Sequence, residues 1–275
     1  MCSTNKNILL ENENENSNAN ANANANANDI DFSVVESNSE QKNKEFIRKS
    51  KLYTKTGDKG CTGLYSGERR GKNEPIFHTL GAIDELNCEL GICKVQYYNI
   101  MKSFENKIYT PPGNGWERSE KCAKTGKYYE WFALGNILSN IQTRLIELSS
   151  HIATVSGEYM NLVIFDTDNK HLGDLERLID RLDSVLPRLT TFLIPGGDLL
   201  TAHLHKARTI ARKSERLIWD VKNGNFNHIT EGSLKYMNRM SDFLFVLSRF
   251  TSFSLGSKET RFSKLDIDDN TYFKN

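Results

Sequence analysis

The stretch KLYTKTGDKGCTGLYSGERRGK, from Lys51 to Lys72, combines glycines, hydroxyl side chains and lysines in a pattern suited to an anionic ligand. Its glycines leave backbone N–H groups accessible, its threonines donate hydrogen bonds, and its lysines supply positive charge, a set that fits a polyphosphate. The stretch is not a Walker A loop, because the GxxxxGK[ST] pattern is absent. A Gly- and Lys-rich surface loop without a ligand is the alternative, and composition alone leaves both interpretations open.

A second candidate site lies in LLTAHLHKARTIARKSERLIWDV (199–221), where Arg208, Arg212, Glu215 and Trp219 follow one another at helical spacing. On a helix these four side chains share one face. The arginines suit phosphate binding, and the Glu215 carboxylate suits a magnesium ion. A solvated face laced with Arg–Glu pairs is the alternative.

Polar residues also interrupt apolar helical patterns at two other places. Asn238 and Asp242 fall within MNRMSDFLFVLSRF, on one helical face with Phe245 and Arg249, and Asp84 falls within GAIDELN. Such side chains either hydrogen-bond across neighbouring helices or reach a ligand. A buried carboxylate at Asp84 needs a cationic partner, for which Arg208 is a candidate.

Five amphipathic segments must position these residues. Apolar side chains recur every three or four positions in HLGDLERLIDRLDSVL (171–186), and the same period occurs in 77–98, 129–154, 199–221 and 232–253. The pattern predicts an all-α fold, a five-helix bundle within a domain spanning 51–255. FLIPGG, Phe192 to Gly197, is predicted to be a short extended link, and 99–127 a surface insertion because it breaks the helical period.

The remaining composition excludes several classes of protein. The chain has 275 residues and a formal net charge of +1, so nothing attracts it as a whole to nucleic acid or acidic membranes. No apolar run approaches the roughly 18 residues of a membrane span. Five scattered cysteines without a CxxC pair favour a reduced intracellular compartment over a disulfide framework or a zinc site.

Both ends of the chain differ from the helical region. Residues 1–50 include the run ENENENSNANANANANAND, which has almost no large apolar side chains. Such a segment cannot offset the entropy of ordering the chain and is predicted to be disordered. Residues 256–275 form a C-terminal tail.

Five motifs, in order and in register, resemble the PduO-type ATP:cob(I)alamin adenosyltransferases. They are YTKTGDKGCTGLYSGERRGK, GAIDELNCELG, FLIPGG, HKARTIARKSER and NRMSDFLFVLSR. The resemblance implies a five-helix bundle that assembles as a homotrimer with active sites between subunits. It implies transfer of the 5′-deoxyadenosyl group of ATP to cob(I)alamin, giving adenosylcobalamin and triphosphate. An ATP-binding regulatory bundle without transferase activity and a helical scaffold whose arginines only pair subunits are the alternatives.

The resemblance also assigns site residues. It implies that the opening stretch binds the triphosphate of ATP. The positions that match the family are Thr54, Lys55, Thr56, Gly57, Thr62, Gly63 and Lys72. Lys59 is added to this set for its ammonium group. The neighbouring subunit contributes Arg212, Glu215, Arg216 and Asn238, with Glu215 placed to help bind Mg²⁺. Asp84 and Arg208 match an ion pair across the interface that helps form the corrinoid site, and Phe192 matches an aromatic residue beneath the corrin ring. Leu80 and Lys213 depart from the family pattern, in which an aromatic residue and an arginine are common.

Partners and location follow from the same resemblance. A cobalamin-dependent mutase and a flavoprotein reductase are the candidate partners. For eukaryote-like chains with such a tail the resemblance implies a mitochondrial location, yet the tail carries acidic residues that a standard presequence lacks, namely Glu11, Glu13, Glu15, Asp29 and Asp31. The cytoplasm is therefore the alternative location.

Overall fold

A computed structural model of the chain describes residues 52–105, 129–156, 160–224 and 228–264. Residues 1–50, most of the predicted insertion and the end of the C-terminal tail lie outside the described residues, so the predictions about them stay predictions. The chain divides into two compact units, Met1–Lys59 and Gly60–Asn275, which are described separately.

The second unit contains five α-helices among its described residues. They are α1 (Pro75–Glu105), α2 (Tyr129–Ala153), α3 (Lys170–Asp183), α4 (Leu199–Asn223) and α5 (Glu231–Leu255). These helices confirm the predicted all-α, five-helix architecture, and each one contains most of a segment with the apolar period of a helix.

The helices pack in a fixed set of pairs. α1 lies against α2 and α4, and α5 lies against α4 and α3. Their apolar stripes meet in one core, whose most buried members include Leu86, Leu90, Leu138, Leu145, Leu204, Ala207, Phe243 and Leu247. α4 is therefore held between α1 and α5, and its remaining face carries the candidate ligand groups.

α1 is longer than predicted. We expected the helical pattern to break near Asn99, but the helix continues to Glu105. Tyr97 and Phe104 belong to the buried core, and Ile100 and Met101 pack against it, so the apolar period persists through this turn. The predicted break in the helical pattern at residue 99 is therefore wrong.

Side-chain caps define where three helices begin. Asp198 accepts a hydrogen bond from Thr201 N at 3.0 Å before α4, and Thr230 Oγ1 accepts one from Ser233 N at 3.1 Å before α5. The buried Asp166 carboxylate accepts hydrogen bonds from the first turn of α3, at 2.8 and 3.0 Å. Each cap satisfies backbone donors that have no partner within the helix.

Two short antiparallel strand pairs lie outside the helices. β1 (Cys61–Gly63) pairs with β2 (Arg69–Gly71), and β3 (Leu193–Ile194) pairs with β4 (Thr260–Arg261). β3 lies within FLIPGG, which confirms the predicted extended link. Cys61 is disulfide-bonded, which the cysteine spacing does not predict, whereas Cys88 and Cys93 carry free thiols.

Candidate functional site

The described part of the first unit, residues 52–59, forms a tight exposed turn. Lys55 has a φ of 58°, and Asp58 N donates a hydrogen bond to Lys55 O at 3.3 Å. The hydroxyl oxygens of Thr54 and Thr56 lie 2.8 Å apart. The predicted ligand groups of this turn, Thr54, Lys55, Thr56, Gly57 and Lys59, are thus all at least partly accessible to a ligand.

The β1–β2 hairpin carries the next predicted ligand residues, Thr62, Gly63 and Lys72. Its ends are closed by a hydrogen bond from Lys72 N to Gly60 O at 2.9 Å, and Leu64, only 6% exposed, anchors it in the core. The Lys72 ammonium group is exposed and forms no ion pair with the residues that the structure describes. A rigid backbone therefore presents a cation that is available to an anionic ligand.

Arg70, in the same hairpin, has a different role. Its guanidinium is 2.9 Å from Glu68 Oε1 and 3.3 Å from Glu74 Oε2. The hydrogen bond that Arg70 donates to Glu68 is the main cause that raises the pKa of Arg70, and Glu74 adds to it. Two carboxylates already balance this charge, so Arg70 stabilises the hairpin rather than a ligand.

The predicted face of α4 is present, and it is predominantly cationic. Arg212 and Arg216 are exposed, and Arg216 Nη1 donates a hydrogen bond to Arg212 O at 3.1 Å. Glu215 Oε1 accepts a hydrogen bond from Asn238 Nδ2 of α5 at 2.8 Å. Within the described residues Glu215 forms no ion pair with these arginines, and the alternative of a solvated Arg–Glu face stays a prediction. Such a face attracts phosphate.

Asn238 and its neighbours on α5 do not act as one group. Asn238 hydrogen-bonds across the helix pair, which confirms one of the two predicted roles. Asp242 Oδ2 instead lies 2.7 Å from Arg239 Nη1, on its own helix. Arg249 is 4% exposed, lies 3.0 Å from Glu259 Oε1 and donates a hydrogen bond to Pro187 O at 2.8 Å. Arg249 therefore anchors the segment that follows α5.

Arg208 is half-buried and has an unsatisfied donor. Its Nε atom is buried without a hydrogen-bond partner. Burial is the main cause that lowers the pKa of Arg208, and the positive charge of Arg212 lowers it further. Since a desolvated guanidinium without a counter-charge costs free energy, Arg208 suits an anionic partner from outside the described chain.

Asp84 does not supply that partner within one chain. We expected a buried carboxylate paired with Arg208, but Asp84 is exposed, and no ion pair joins the two within the described residues. The adjacent Glu85 instead pairs with Lys213 of α4, at 2.7 Å. The exposure of Asp84 follows from the helix period, because Ile83 and Leu86 take the buried positions of this turn.

Phe192 is the most exposed aromatic residue in the described part of the chain. The residue as a whole is 82% exposed. Phe192 O accepts a hydrogen bond from Phe262 N at 2.8 Å, next to the β3–β4 pair. The backbone at this position is thus fixed, while the ring has apolar surface left for a ligand or a second subunit.

One charged cluster was not predicted from the sequence. Glu89 of α1 is 3% exposed, and its carboxylate lies 2.6 Å from His203 Nδ1 and 2.8 Å from Lys206 Nζ of α4. Burial raises the pKa of Glu89, but the hydrogen bonds from Lys206 and His203 outweigh it and lower the pKa overall. The sequence feature that could have predicted this cluster is the spacing of His203 and Lys206, which lie one helical turn apart and can therefore share a partner.

The described part of the chain has neither a membrane-spanning helix nor a ready-made metal centre. None of its helices is long and apolar enough to cross a bilayer. Its His, Cys, Asp and Glu side chains form no group of three or more that could hold a metal ion. A metal at Glu215 would therefore need ligands from a substrate or water.

The sequence is similar to known enzymes over most of its length. Residues 52–251 match the family model described as cobalamin adenosyltransferase. The corrinoid adenosyltransferase MMAB of Bos taurus is 28% identical over 241 residues, which cover 86% of each protein. The corrinoid adenosyltransferase of Mycobacterium leprae (strain TN) is 30% identical over 216 residues, which cover 74% of this chain and 92% of that protein.

The fold is similar to that of a solved protein of the same type. A variant of the PduO-type ATP:corrinoid adenosyltransferase from Lactobacillus reuteri, complexed with cobalamin and ATP, superposes with a TM-score of 0.60 at 26% sequence identity. The match covers 77% of this chain and 96% of that structure. The chain belongs to the cobalamin adenosyltransferase family.

Proposed function

We propose that this chain is an ATP:corrinoid adenosyltransferase that transfers the 5′-deoxyadenosyl group of ATP to cob(I)alamin, releasing triphosphate. The structural observation that carries the proposal is the cationic face of α4, where Arg212 and Arg216 are exposed and Glu215 is bound to Asn238. Family membership over residues 52–251 supports the same reaction.

The reaction needs positioning more than a reactive side chain. Cobalt(I) attacks the ribose 5′ carbon, and both electrons of the new cobalt–carbon bond come from the metal of the substrate. The carbon–oxygen bond to triphosphate breaks, and its electron pair leaves with the triphosphate. Fixed cations that face the leaving group lower this barrier, since they stabilise charge that develops in the transition state.

The triphosphate cradle is proposed to combine one subunit's opening stretch with another subunit's α4. The first contributes Thr54, Lys55, Thr56, Gly57, Lys59, Thr62, Gly63 and Lys72, and the second contributes Arg212, Glu215, Arg216 and Asn238. The exposed hydroxyl and ammonium groups of the opening stretch support this assignment. Arginine forks suit phosphate oxygens because they donate two parallel hydrogen bonds.

Glu215 is proposed to hold Mg²⁺ together with phosphate oxygens, with Asn238 fixing its carboxylate. Glu215 uses Oε1 to accept the hydrogen bond from Asn238, which fixes the carboxylate and leaves acceptor capacity on Oε2. One carboxylate with substrate phosphates and water is a common ligand set for Mg²⁺, so the residues present fit the ion. When bound, Mg²⁺ would neutralise charge on the triphosphate.

Assembly is proposed to complete the corrinoid site. A homotrimer would bring Asp84 of one subunit to Arg208 of the next, which would give the unsatisfied Arg208 guanidinium a carboxylate partner. The exposure of Asp84 supports this pairing.

Phe192 is proposed to press on the lower face of the corrin. Its exposed ring supports this role. An apolar group there would displace the lower axial ligand of cobalt(II) and ease its reduction to cobalt(I). The substrate must be reduced before transfer and the product is a mutase cofactor, so a flavoprotein reductase and a cobalamin-dependent mutase are the proposed partners.

A mitochondrial location is proposed for this enzyme. Similarity to the mammalian MMAB proteins, which covers 85% of this chain for the human protein, supports it. Because the chain is also similar to bacterial proteins, the cytoplasm is the alternative location. Imaging of the full-length chain with a C-terminal fluorescent tag distinguishes the two.

The proposed activity is tested by mixing the protein with ATP, Mg²⁺ and chemically reduced cobalamin while recording the visible spectrum. An adenosyltransferase converts the cob(I)alamin spectrum to that of adenosylcobalamin. ATP binding without spectral conversion would instead identify a regulatory bundle, and the absence of ATP binding would identify a scaffold.

A further inference from the structure

A cavity of about 670 Å³ opens beside the β3–β4 strand pair. Leu186, Pro187 and Phe253 give it apolar walls, and Lys258 and Arg261 add two cationic side chains. Small-molecule sites typically have volumes of about 300 to 1,000 Å³ and combine apolar walls with a few polar groups. The cavity therefore has the size and the lining of a ligand site.

The side chains that line this cavity carry a net positive charge. Glu259 contributes a carboxylate, but the buried Arg249 guanidinium lies 3.0 Å from it and balances its charge. Lys258 and Arg261 are exposed, and neither forms an ion pair with a residue that the structure describes. The two uncompensated cations suit an anionic group of about one charge, such as a phosphodiester.

The cavity and Phe192 share one small sheet. Arg261 pairs with Leu193, and Thr260, which also lines the cavity, pairs with Ile194. Phe262 N then donates its hydrogen bond to Phe192 O at 2.8 Å. A ligand that touches Phe192 can therefore extend along this sheet into the cavity.

We propose that this cavity receives the nucleotide tail of the corrinoid, that is, its benzimidazole base, ribose and phosphodiester. The proposal rests on the proposed function, in which Phe192 displaces the lower axial ligand of cobalt. That ligand is the base of the tail itself, and it stays covalently tethered to the corrin after displacement. A nearby site with apolar walls and free cations would hold the displaced base and its phosphodiester, and so disfavour religation of cobalt.

The test compares cobalamin with cobinamide, a corrinoid that has the same ring but lacks the tail. Adenosyl transfer is measured with both substrates reduced chemically to cobalt(I), in the wild type and in the double variant Lys258→Ala/Arg261→Ala. The expected wild-type KM is lower for cobalamin than for cobinamide. In the double variant the cobalamin KM should rise by roughly five- to tenfold, because two cation–phosphate contacts are lost, while the cobinamide KM should stay unchanged.

Lys264→Ala is the matched control, because Lys264 is an exposed cation just beyond β4 that does not line the cavity. It should change neither KM. Unchanged turnover of cobinamide by the double variant shows that its fold and its ATP site are intact. Equal wild-type KM values for both corrinoids, or an equal rise for both in the double variant, would overturn this inference and leave the proposed function standing. No transfer to either corrinoid would reject the proposed function, and this inference with it.

Discussion

The Arg208 guanidinium and the Phe192 ring both lie in environments that are unfavourable for the isolated chain. Arg208 has a buried Nε without a hydrogen-bond partner, and Phe192 is 82% exposed to water. Each state costs free energy that a bound ligand or a second subunit could recover. These two residues therefore indicate where a ligand or a second subunit binds the chain.

A substitution of Arg212 tests the proposed phosphate site at the scale of a single residue. Arg212→Ala should raise the KM for ATP by about ten- to a hundredfold, because a charge-assisted hydrogen bond of about 1.5 to 3 kcal/mol is lost. Transfer rates measured at increasing ATP concentration report this change. Arg177→Ala is the control, since Arg177 is an exposed arginine of α3 that already pairs with Asp174. Wild-type ATP dependence of Arg212→Ala would remove Arg212 from the proposed cradle.

Phe192→Ala separates reduction of the substrate from transfer. The KM for ATP should stay near the wild-type value, because Phe192 is proposed to contact the corrin and not the triphosphate. Formation of four-coordinate cob(II)alamin, followed by its absorption or paramagnetic resonance spectrum, should be lost. A strong chemical reductant that supplies cob(I)alamin directly should restore much of the rate. A variant that loses ATP binding first would show that Phe192 acts elsewhere.

The sequence predicts some of these residue contacts and not others. The helical period is enough to place Arg208, Arg212 and Glu215 together, since that depends on α4 alone. The Glu85–Lys213 pair depends on how α1 and α4 are rotated against each other, which local sequence does not determine. The same rotation leaves Asp84 exposed, where the sequence pattern had indicated a buried carboxylate.

At the scale of elements, helix type follows from the sequence more reliably than helix ends. The apolar period identifies all five helices, but the predicted break near residue 99 lies before the observed end of α1 at Glu105. Phe104, 7% exposed, shows that core packing extends the helix past that point. The turn before α3, which contains the capping residue Asp166, has two residues at positive φ, 50° at Asp166 and 55° at Asn169. The apolar period of a helix carries no information about such a turn.

His151 at the end of α2 contacts the start of α5 and makes the packing of these two helices sensitive to pH. Burial, with smaller contributions from His228 and Lys222, lowers the pKa of His151 to about 4. Its Nε2 accepts a hydrogen bond from Thr230 N at the start of α5, which requires the neutral ring. The unfolded chain binds a proton near pH 6.5, so this contribution to stability is present above pH 6.5 and is lost as the pH falls toward 4.

Urea denaturation at several pH values measures this effect. The free energy of unfolding of the wild type should fall by roughly 3 kcal/mol between pH 6.5 and 4 from this one group. His151→Gln, which keeps an acceptor but does not titrate, should flatten the pH dependence, whereas His78→Gln at an exposed position of α1 should not. Parallel loss of stability in the wild type and in His151→Gln would contradict the role of His151.

At the scale of the whole molecule, the proposed homotrimer makes a prediction about mixed subunits. Asp84→Ala and Arg208→Ala should each be nearly inactive alone, because each removes one member of the proposed pair between subunits. When the two variants are unfolded together and reassembled, some interfaces combine the intact Arg208 of one variant with the intact Asp84 of the other. Activity should therefore recover partly in the mixture.

Refolding each variant alone is the control for that experiment. Neither should regain activity, and light scattering should show trimers in all samples. A mixture that is no more active than its separate components would contradict a site shared in this way between Asp84 and Arg208.

The central claim is that the chain transfers the adenosyl group and does not only bind ATP and a corrinoid. The most direct measurement is the stoichiometry of products when the full-length protein reacts with ATP, Mg²⁺ and chemically reduced cobalamin. We predict one triphosphate released for each adenosylcobalamin formed, because attack at the 5′ carbon leaves the three phosphates joined. Release of phosphate or pyrophosphate without a new cobalt–carbon bond, or no reaction in the presence of bound ATP, would contradict the claim.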